Sequence, residues 1–392
     1  MNPSANGWIK KLLNDITDSN NNYLSLSFDK YYKKLKSSGF IYGANISVVN
    51  ECIENKDFTN EELCKVNLVL GFYFLHNKSK NKKDFIESII SFYNAIDAYK
   101  TSFFSGLLGE KDSAELLEKM IDKRVYIDDN VLTKTFNYFI TNALLFVDLI
   151  AYKQFLKSGT ISDNYIKNLE AAIESMVLMI LETKSDKTKY DDSLIKLFES
   201  SLRFQSNSRL SYKNLLKKFN TKLSKYYIID IACMAFWSDK IISTSEQTQL
   251  LVFGKDLKLN PNHINQSIID IDTFYSLNKD KIMLLSSKNM IQSFYDNSSK
   301  MVSKLIKRNS KRLLNELKES KELMVLLTKS TTRELTQEEQ KKVQNQLIDI
   351  IKSIPSLAIF MLPGGAILLP LFVKFIPKLL PSAFDENRIK KD

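Results

Sequence analysis

Across 392 residues the chain holds only 10 Gly and 7 Pro. These two residues do most to end helices, Gly through its backbone entropy and Pro through its missing N–H. A long chain with so few breakers favours long helices joined by short links. No Gly-rich hairpin turn joins alternating strands anywhere in it. Hydrophobic residues make up 44% of the chain, enough for packed cores and too many for a disordered polymer. The length suits roughly two or three domains. The sequence therefore predicts an all-α protein.

Residues 1–215 read as a multi-helix N-terminal bundle. Thr59-Asn60-Glu61-Glu62 supplies a cap and first-turn acids for a helix over Glu61–Asn77, with Leu63, Val66, Leu70 and Phe74 at helical spacing. Lys83–Phe104 places Phe85, Ile89, Phe92, Ile96 and Tyr99 on one face. Lys134–Leu156 is apolar on more than one side, but Asn137, Asn142, Asp148 and Lys153 interrupt it. It reads as a central core helix and not as a membrane span. Asn164–Thr183 is the next helix, with Leu169, Ile173, Met176, Val177 and Ile180 inward, and Lys184–Asp192 reads as a charged loop.

Residues 220–278 form a second unit. An apolar helix over 228–239 runs into a polar turn at Ser238-Asp239. Ser243-Thr244-Ser245-Glu246 is a capping box that opens a helix through Leu250, Leu251, Phe253 and Leu257. Asn260-Pro261-Asn262 breaks that helix, and Ile264–Phe274 makes another. This order resembles the TerB-like (tellurite-resistance-associated) helical domain. That family usually has Gly after the turn Asp, whereas Lys240 follows Asp239 here, so metal-associated behaviour is not carried over.

The formal net charge is +11. Between Lys279 and Lys329 stand twelve Lys and Arg against five Asp and Glu, a net of +7 that accounts for most of the excess. Lys300, Lys304, Lys307, Arg308, Lys311 and Arg312 recur at three-to-four spacing, with Met301, Leu305, Leu313 and Leu317 on another face. Residues 279–330 thus read as a basic amphipathic helical linker, either a solvated bundle face or a surface for anionic lipid. Nucleic acid is not an expected partner, because aromatics do not interleave with the cations as single-strand binders require.

Residues 331–392 form the last unit. Thr331 to Glu339 caps a helix through Val343, Leu347, Ile350 and Ile351, and Pro355 marks a bend. From Ile354 to Val373 there is no charge. About twenty residues at 1.5 Å each span roughly 30 Å, the thickness of a bilayer's hydrocarbon core. Pro363-Gly364-Gly365 interrupts this membrane-type segment, and Pro370 does so again. Broken backbone at membrane depth must be shielded. A straight span, a re-entrant hairpin and a hairpin buried in protein all remain open.

The ordered pattern Glu334-Leu335-Thr336, Glu338-Glu339, Leu347-Ile348-Asp349, Ile354-Pro355, Phe360-Met361-Leu362-Pro363, Leu368-Leu369-Pro370, Lys374-Phe375-Ile376-Pro377 and Leu379-Leu380-Pro381-Ser382-Ala383-Phe384 resembles the core motif of the LETM family. The layout as a whole resembles bacterial LETM-related, biofilm-associated proteins. The resemblance implies a membrane segment with Ile354, Pro355, Phe360, Pro363, Gly364, Gly365, Pro370, Lys374, Pro377, Pro381 and Phe384 as its marks. It also implies an association with cation homeostasis. Asp392 follows Phe384 by eight residues, so ribosome binding is not carried over. No EF-hand loop is present: Asp270-Ile271-Asp272 and Asp128-Asp129-Asn130 lack the sixth-position Gly and the Glu at twelve. The apolar segment holds no carboxylate to carry an ion. Glu334, Glu338, Glu339 and Asp349, just before it, read as helix-start acids.

Nothing points to catalysis, to a cofactor or to a metal. There is no Gly-x-Ser-x-Gly, phosphate-binding loop or dinucleotide fingerprint. His76 and His263 have no ligand partners at metal spacing. Asp230, Asp239 and Glu246 read as caps and solvated acids. Cys52, Cys64 and Cys233 read as small buried hydrophobes of a reducing compartment. The N-terminus has no basic region followed by an apolar run, so the body is expected in the cytoplasm. The expectation is a non-enzymatic scaffold or regulator at the cytoplasmic face of the inner membrane, with a protein partner or homo-oligomer compatible with it. Its rivals are a cation or proton transporter subunit and a soluble helical interaction protein with a buried C-terminal hairpin.

Overall fold

Helices begin where the sequence caps them. In the computed structural model the described residues are 1–18, 23–51, 53, 58–96, 112–125, 144–162, 164–184, 187, 189–205, 211–237, 241–278, 290–354, 357, 360 and 368–380. Among them are seventeen helices and no strand. The body comprises α1 (Trp8–Asp18), α2 (Phe28–Ser37), α3 (Asn60–Asn77), α4 (Phe85–Ala95), α5 (Ser113–Val125), α6 (Phe146–Ser158), α7 (Tyr165–Thr183) and α8 (Lys189–Gln205). Next come α9 (Tyr212–Lys218), α10 (Lys222–Phe236), α11 (Thr244–Asp256) and α12 (Pro261–Asn278). The last are α13 (Met290–Arg308), α14 (Ser310–Glu319), α15 (Lys321–Thr332), α16 (Gln337–Ser353) and α17 (Leu369–Leu379).

Reciprocal capping boxes open α3 at Thr59 with Glu62, α11 at Ser243 with Glu246 and α16 at Thr336 with Glu339. Each satisfies two backbone donors that a helix start leaves without partners. Pro261 opens α12, where its missing N–H is harmless. After α2 the chain turns through Gly39, whose φ of +82° and contact with the Ala44 carbonyl exclude any Cβ.

The charged loop read over Lys184–Asp192 needs correction. Residues 184–192 are not a loop throughout, because α8 begins at Lys189. Asp191 and Asp192 lie in its first turn, where acids suit the positive end of the helix dipole. Asp191 is itself buried, 3.9 Å from the Lys184 ammonium.

The core is centred on α3, where Val66, Leu68, Val69, Leu70, Phe72 and Phe74 are buried around the helix. Gly71 lets α6 approach: a Cβ there would lie 2.6 Å from Leu149 Cδ1. Two buried ion pairs tie distant stretches together. Arg124 of α5 grips Asp148 of α6 from Nε at 2.7 Å and Nη2 at 2.5 Å, and Tyr93 of α4 donates to the same carboxylate at 3.0 Å. Lys36 of α2 lies 3.4 Å from Asp230 of α10 and pairs with Asp270 of α12. Tyr32 donates to Asp230 at 2.7 Å. Asp230 is therefore a fully buried partner and not a solvated acid. Glu246 is the α11 capping residue, and Asp239 lies outside the described residues.

Candidate membrane-facing site

The chain's concentrated positive charge lies on α13 and α14. Lys300, Lys304, Lys307, Arg308, Lys311 and Arg312 are all exposed. Met301, Val302, Leu305, Ile306, Leu313 and Leu317 are buried. The amphipathic pattern read over 279–330 is realised as three helices, broken at Asn309 and Ser320, while residues 279–289 lie outside the described ones. Both break residues compete for backbone groups. Asn309 donates from Nδ2 to the Leu305 carbonyl at 2.7 Å, and the Ser320 hydroxyl accepts from the Leu323 amide at 3.3 Å. α13 packs against α8 and α17. Its apolar side is filled by protein, and cations face the solvent.

α15 and α16 form an antiparallel pair turned at Arg333-Glu334-Leu335. Arg333 donates to both Glu339 oxygens at 2.8 and 2.7 Å, and the Thr336 amide donates to Glu339 at 3.0 Å. The guanidinium, with the capping amide, holds this carboxylate down at about 2. Glu338 is a first-turn acid of α16, Glu334 is exposed, and Asp349 pairs with Lys352 at 3.1 Å. The four acids do not converge. Among the described residues no group of three His, Cys, Asp or Glu could hold a metal ion. His76 Nδ1 lies 3.0 Å from the Tyr152 hydroxyl, and the His263 ring stacks on Tyr226 at 3.7 Å. Cys64 and Cys233 are buried in the core and not in a disulfide, and Cys52 lies outside the described residues.

α16 ends at Ser353, and Ile354, Leu357 and Phe360 beyond it are buried. Leu368, Leu369, Leu371, Phe372, Val373 and Ile376 are buried in turn, and α17 packs against α8, α13 and α15. The Phe360 and Phe372 rings meet edge to face at 5.0 Å. On one straight helix those two residues would stand about 18 Å apart. Phe360 and Phe372 therefore do not stand on one straight helix. Pro370 falls in the first turn of α17, where no N–H is needed, while Pro377 lies inside the helix and both are half-buried.

Lys374 and Lys378 are exposed on α17. Lys374 donates from Nζ to the Tyr295 hydroxyl of α13 at 3.1 Å and stands 5.8 Å from that ring. Pro355, Pro363, Gly364, Gly365, Pro381 and Phe384 lie outside the described residues. Among the described residues no helix is long and apolar enough to cross a membrane. Sequence reasoning singled out Lys374 and Phe360 but missed their partners Tyr295 and Phe372. Nothing local to either partner marks it, since each pairing depends on how helices dock.

The arrangement is that of an all-α protein in which the described apolar residues near the C-terminus pack against its other helices, beside a cationic face. Residues 335–392 match the family model described as LETM1-like, RBD. The chain thus carries a LETM-family segment at its C-terminus, and α16 and α17 fall within it. No curated protein and no solved structure matches the chain. The TerB-like likeness of residues 220–278 rests on helix order alone.

Proposed function

We propose that the chain is a non-enzymatic, LETM-related protein working at the cytoplasmic face of an inner membrane. There it acts as a scaffold or regulator tied to cation balance or to envelope and biofilm physiology. The observation that carries this reading is the exposed cationic face of α13 and α14, close in sequence to a LETM-family segment. Each Lys or Arg near an anionic surface contributes about 1 kcal/mol of attraction. Because α8 and α17 fill the apolar side of α13, first contact with lipid runs on charge and is weakened by salt.

The test is co-sedimentation with vesicles containing phosphatidylserine, against vesicles of phosphatidylcholine alone, over a range of salt. Neutralising Lys300, Lys307 and Lys311 together (K300Q/K307Q/K311Q) should weaken binding by about 100-fold. Equal binding to both vesicle types, or a triple variant indistinguishable from wild type, would overturn it.

A second reading has one observation in its favour. The described apolar residues from Ile354 to Phe372, other than the half-buried Pro370, are buried within the chain. A soluble helical interaction protein with a permanently buried hairpin would look the same, and would stay monodisperse without detergent and indifferent to vesicles.

A further inference from the structure

We infer that the chain assembles head to tail, with the exposed apolar ridge of α12 in one copy seated in an apolar groove between α7 and α11 of a second copy. This stands apart from the membrane reading above and does not depend on it.

The ridge is clearest against the helix that follows it. Among the described residues, every exposed position of α13 is a cation: Lys300, Lys304, Lys307 and Arg308. On α12 the one exposed charge is Asp272. The buried side of α12 packs on α2, α10 and α11. On its other side Ile269 is 56% and Leu277 75% exposed, with the uncharged, exposed Thr273 and Ser276 between them. These four stand at i, i+4, i+7 and i+8, the spacing of one helical stripe. A lone exposed aliphatic side chain is ordinary. Here the exposed large apolar residues gather: Ile241, Val252, Ile269 and Leu277 all fall between 241 and 277, and Val325 stands by itself elsewhere.

The groove is built before anything enters it. Met176, Met179 and Ile180 of α7 face Phe236 of α10 and Leu250 and Phe253 of α11 across about 290 Å³. A cavity of about 150 Å³ holds a benzene ring, so this one takes two side chains the size of Ile269 and Leu277. Two polar clasps fix its walls. The Thr183 hydroxyl donates to Gln249 Oε1 at 2.8 Å and joins α7 to α11, and the Tyr212 hydroxyl of α9 donates to Asp256 of α11 at 2.7 Å. A preformed groove saves the cost of ordering its walls on binding, and the methionines adjust to the shape that enters.

Charge selects the occupant. Two copies at +11 repel wherever their cations meet, so they approach best through surfaces without like charge. The ridge offers no cation, and no described residue lining the groove is charged. An acidic or basic partner would find no charge there to pair with. Ridge and groove lie on different helices, so the contact is heterologous and builds rings or open chains.

The test is sedimentation equilibrium of the full chain in lipid-free buffer. Wild type should gain mass with concentration, past that of a dimer. A ridge variant (I269D/L277D) and a groove variant (V252D/T248D) change only exposed positions, and their denaturant midpoints should match wild type. Should either midpoint fall, serines at the same positions take their place. Each variant alone should associate at least about 30-fold more weakly. Mixed in equal amounts, the two should associate again and stop at a dimer, because one copy keeps its groove and the other its ridge. A wild type that stays monomeric up to about 1 mM would overturn the proposal. Variants that associate like wild type would place the contact elsewhere, and a mixture that stays monomeric would exclude a head-to-tail contact; both overturn it. Salt supplies a second readout. From about 0.01 M to 0.15 M the screening length falls from about 30 Å to 8 Å, so repulsion between copies fades and association should strengthen. Association that weakens with salt would mean that opposite charges make the contact, and would overturn the proposal as well.

Discussion

In the N-terminal body, Arg124 and Asp148 are 1% and 0% exposed and joined by two short hydrogen bonds. On α17, the corresponding polar tie joins an exposed lysine to a half-buried tyrosine of α13 at 3.1 Å. Both regions bury large apolar side chains. The difference lies in what else fixes them. A buried ion pair has one acceptable partner, since removing either member leaves a charge stranded away from water. Apolar contact has many acceptable partners. The body is therefore held in part by specific charged partners, and α17 mainly by apolar packing.

The most damaging way to probe that contrast is Arg124→Met. It strands Asp148, which retains only the Tyr93 hydroxyl at 3.0 Å. Loss of about 3–5 kcal/mol of global stability is expected, measured as a shift in the denaturant midpoint. A shift under 1 kcal/mol would mean that the pair does not staple the body. On the other side of the comparison, Ile376→Ala removes a fully buried side chain of α17. The cavity should cost roughly 2–5 kcal/mol. The loss should appear locally, as faster amide exchange in α17, with exchange in α3 and α6 unchanged. If protection fell equally everywhere, α17 would be part of one cooperative unit with the body, and the distinction would fail.

How much of this was legible in the sequence follows the same division. The capping boxes at Thr59, Ser243 and Thr336 were readable because caps are local: a side chain and a backbone amide three residues apart decide them. The C-terminal family segment was readable because its prolines and closing Leu379-Leu380-Pro381-Ser382 fall in a fixed order. The start of α8 was misread because acids in a first turn look, in composition, like a charged loop. The buried charges were not readable at all. Lys36 and Asp230 are 194 positions apart, and only the docking of α2 on α10 makes them a pair. Asp148 resembled an interruption of an apolar helix until Arg124 was placed against it. For the candidate site, the cationic face followed from its spacing. The resting place of the apolar segment did not, because hydrophobicity requires burial without naming what does the burying.

A pH-dependent effect lies beside the Arg124–Asp148 staple and shows where the body's commitment has a limit. Glu170 of α7 lies within the electrostatic reach of that pair, and its Oε1 is enclosed with no hydrogen-bond partner among the described residues. Burial pushes its carboxyl up from about 4.5 to about 8. Arg124 works against the rise, and Asp148 adds to it. An acid whose folded value is raised is held protonated by folding. Its contribution to stability is complete below the unfolded value and is lost as pH climbs through the folded one. Wild type should therefore lose stability, relative to Glu170→Gln, progressively between about pH 4.5 and pH 8. Urea midpoints of the two proteins at pH 5, 7 and 9 read this directly, because other titrating groups are common to both. The midpoints should lie closest at pH 5, with the glutamine variant gaining at each step upward. Parallel midpoints would place Glu170 in contact with water and leave the staple's surroundings indifferent to pH. A widening gap would mean that even the committed half of the molecule loosens as pH rises, at α7, the helix against which α6, α8 and α10 are packed.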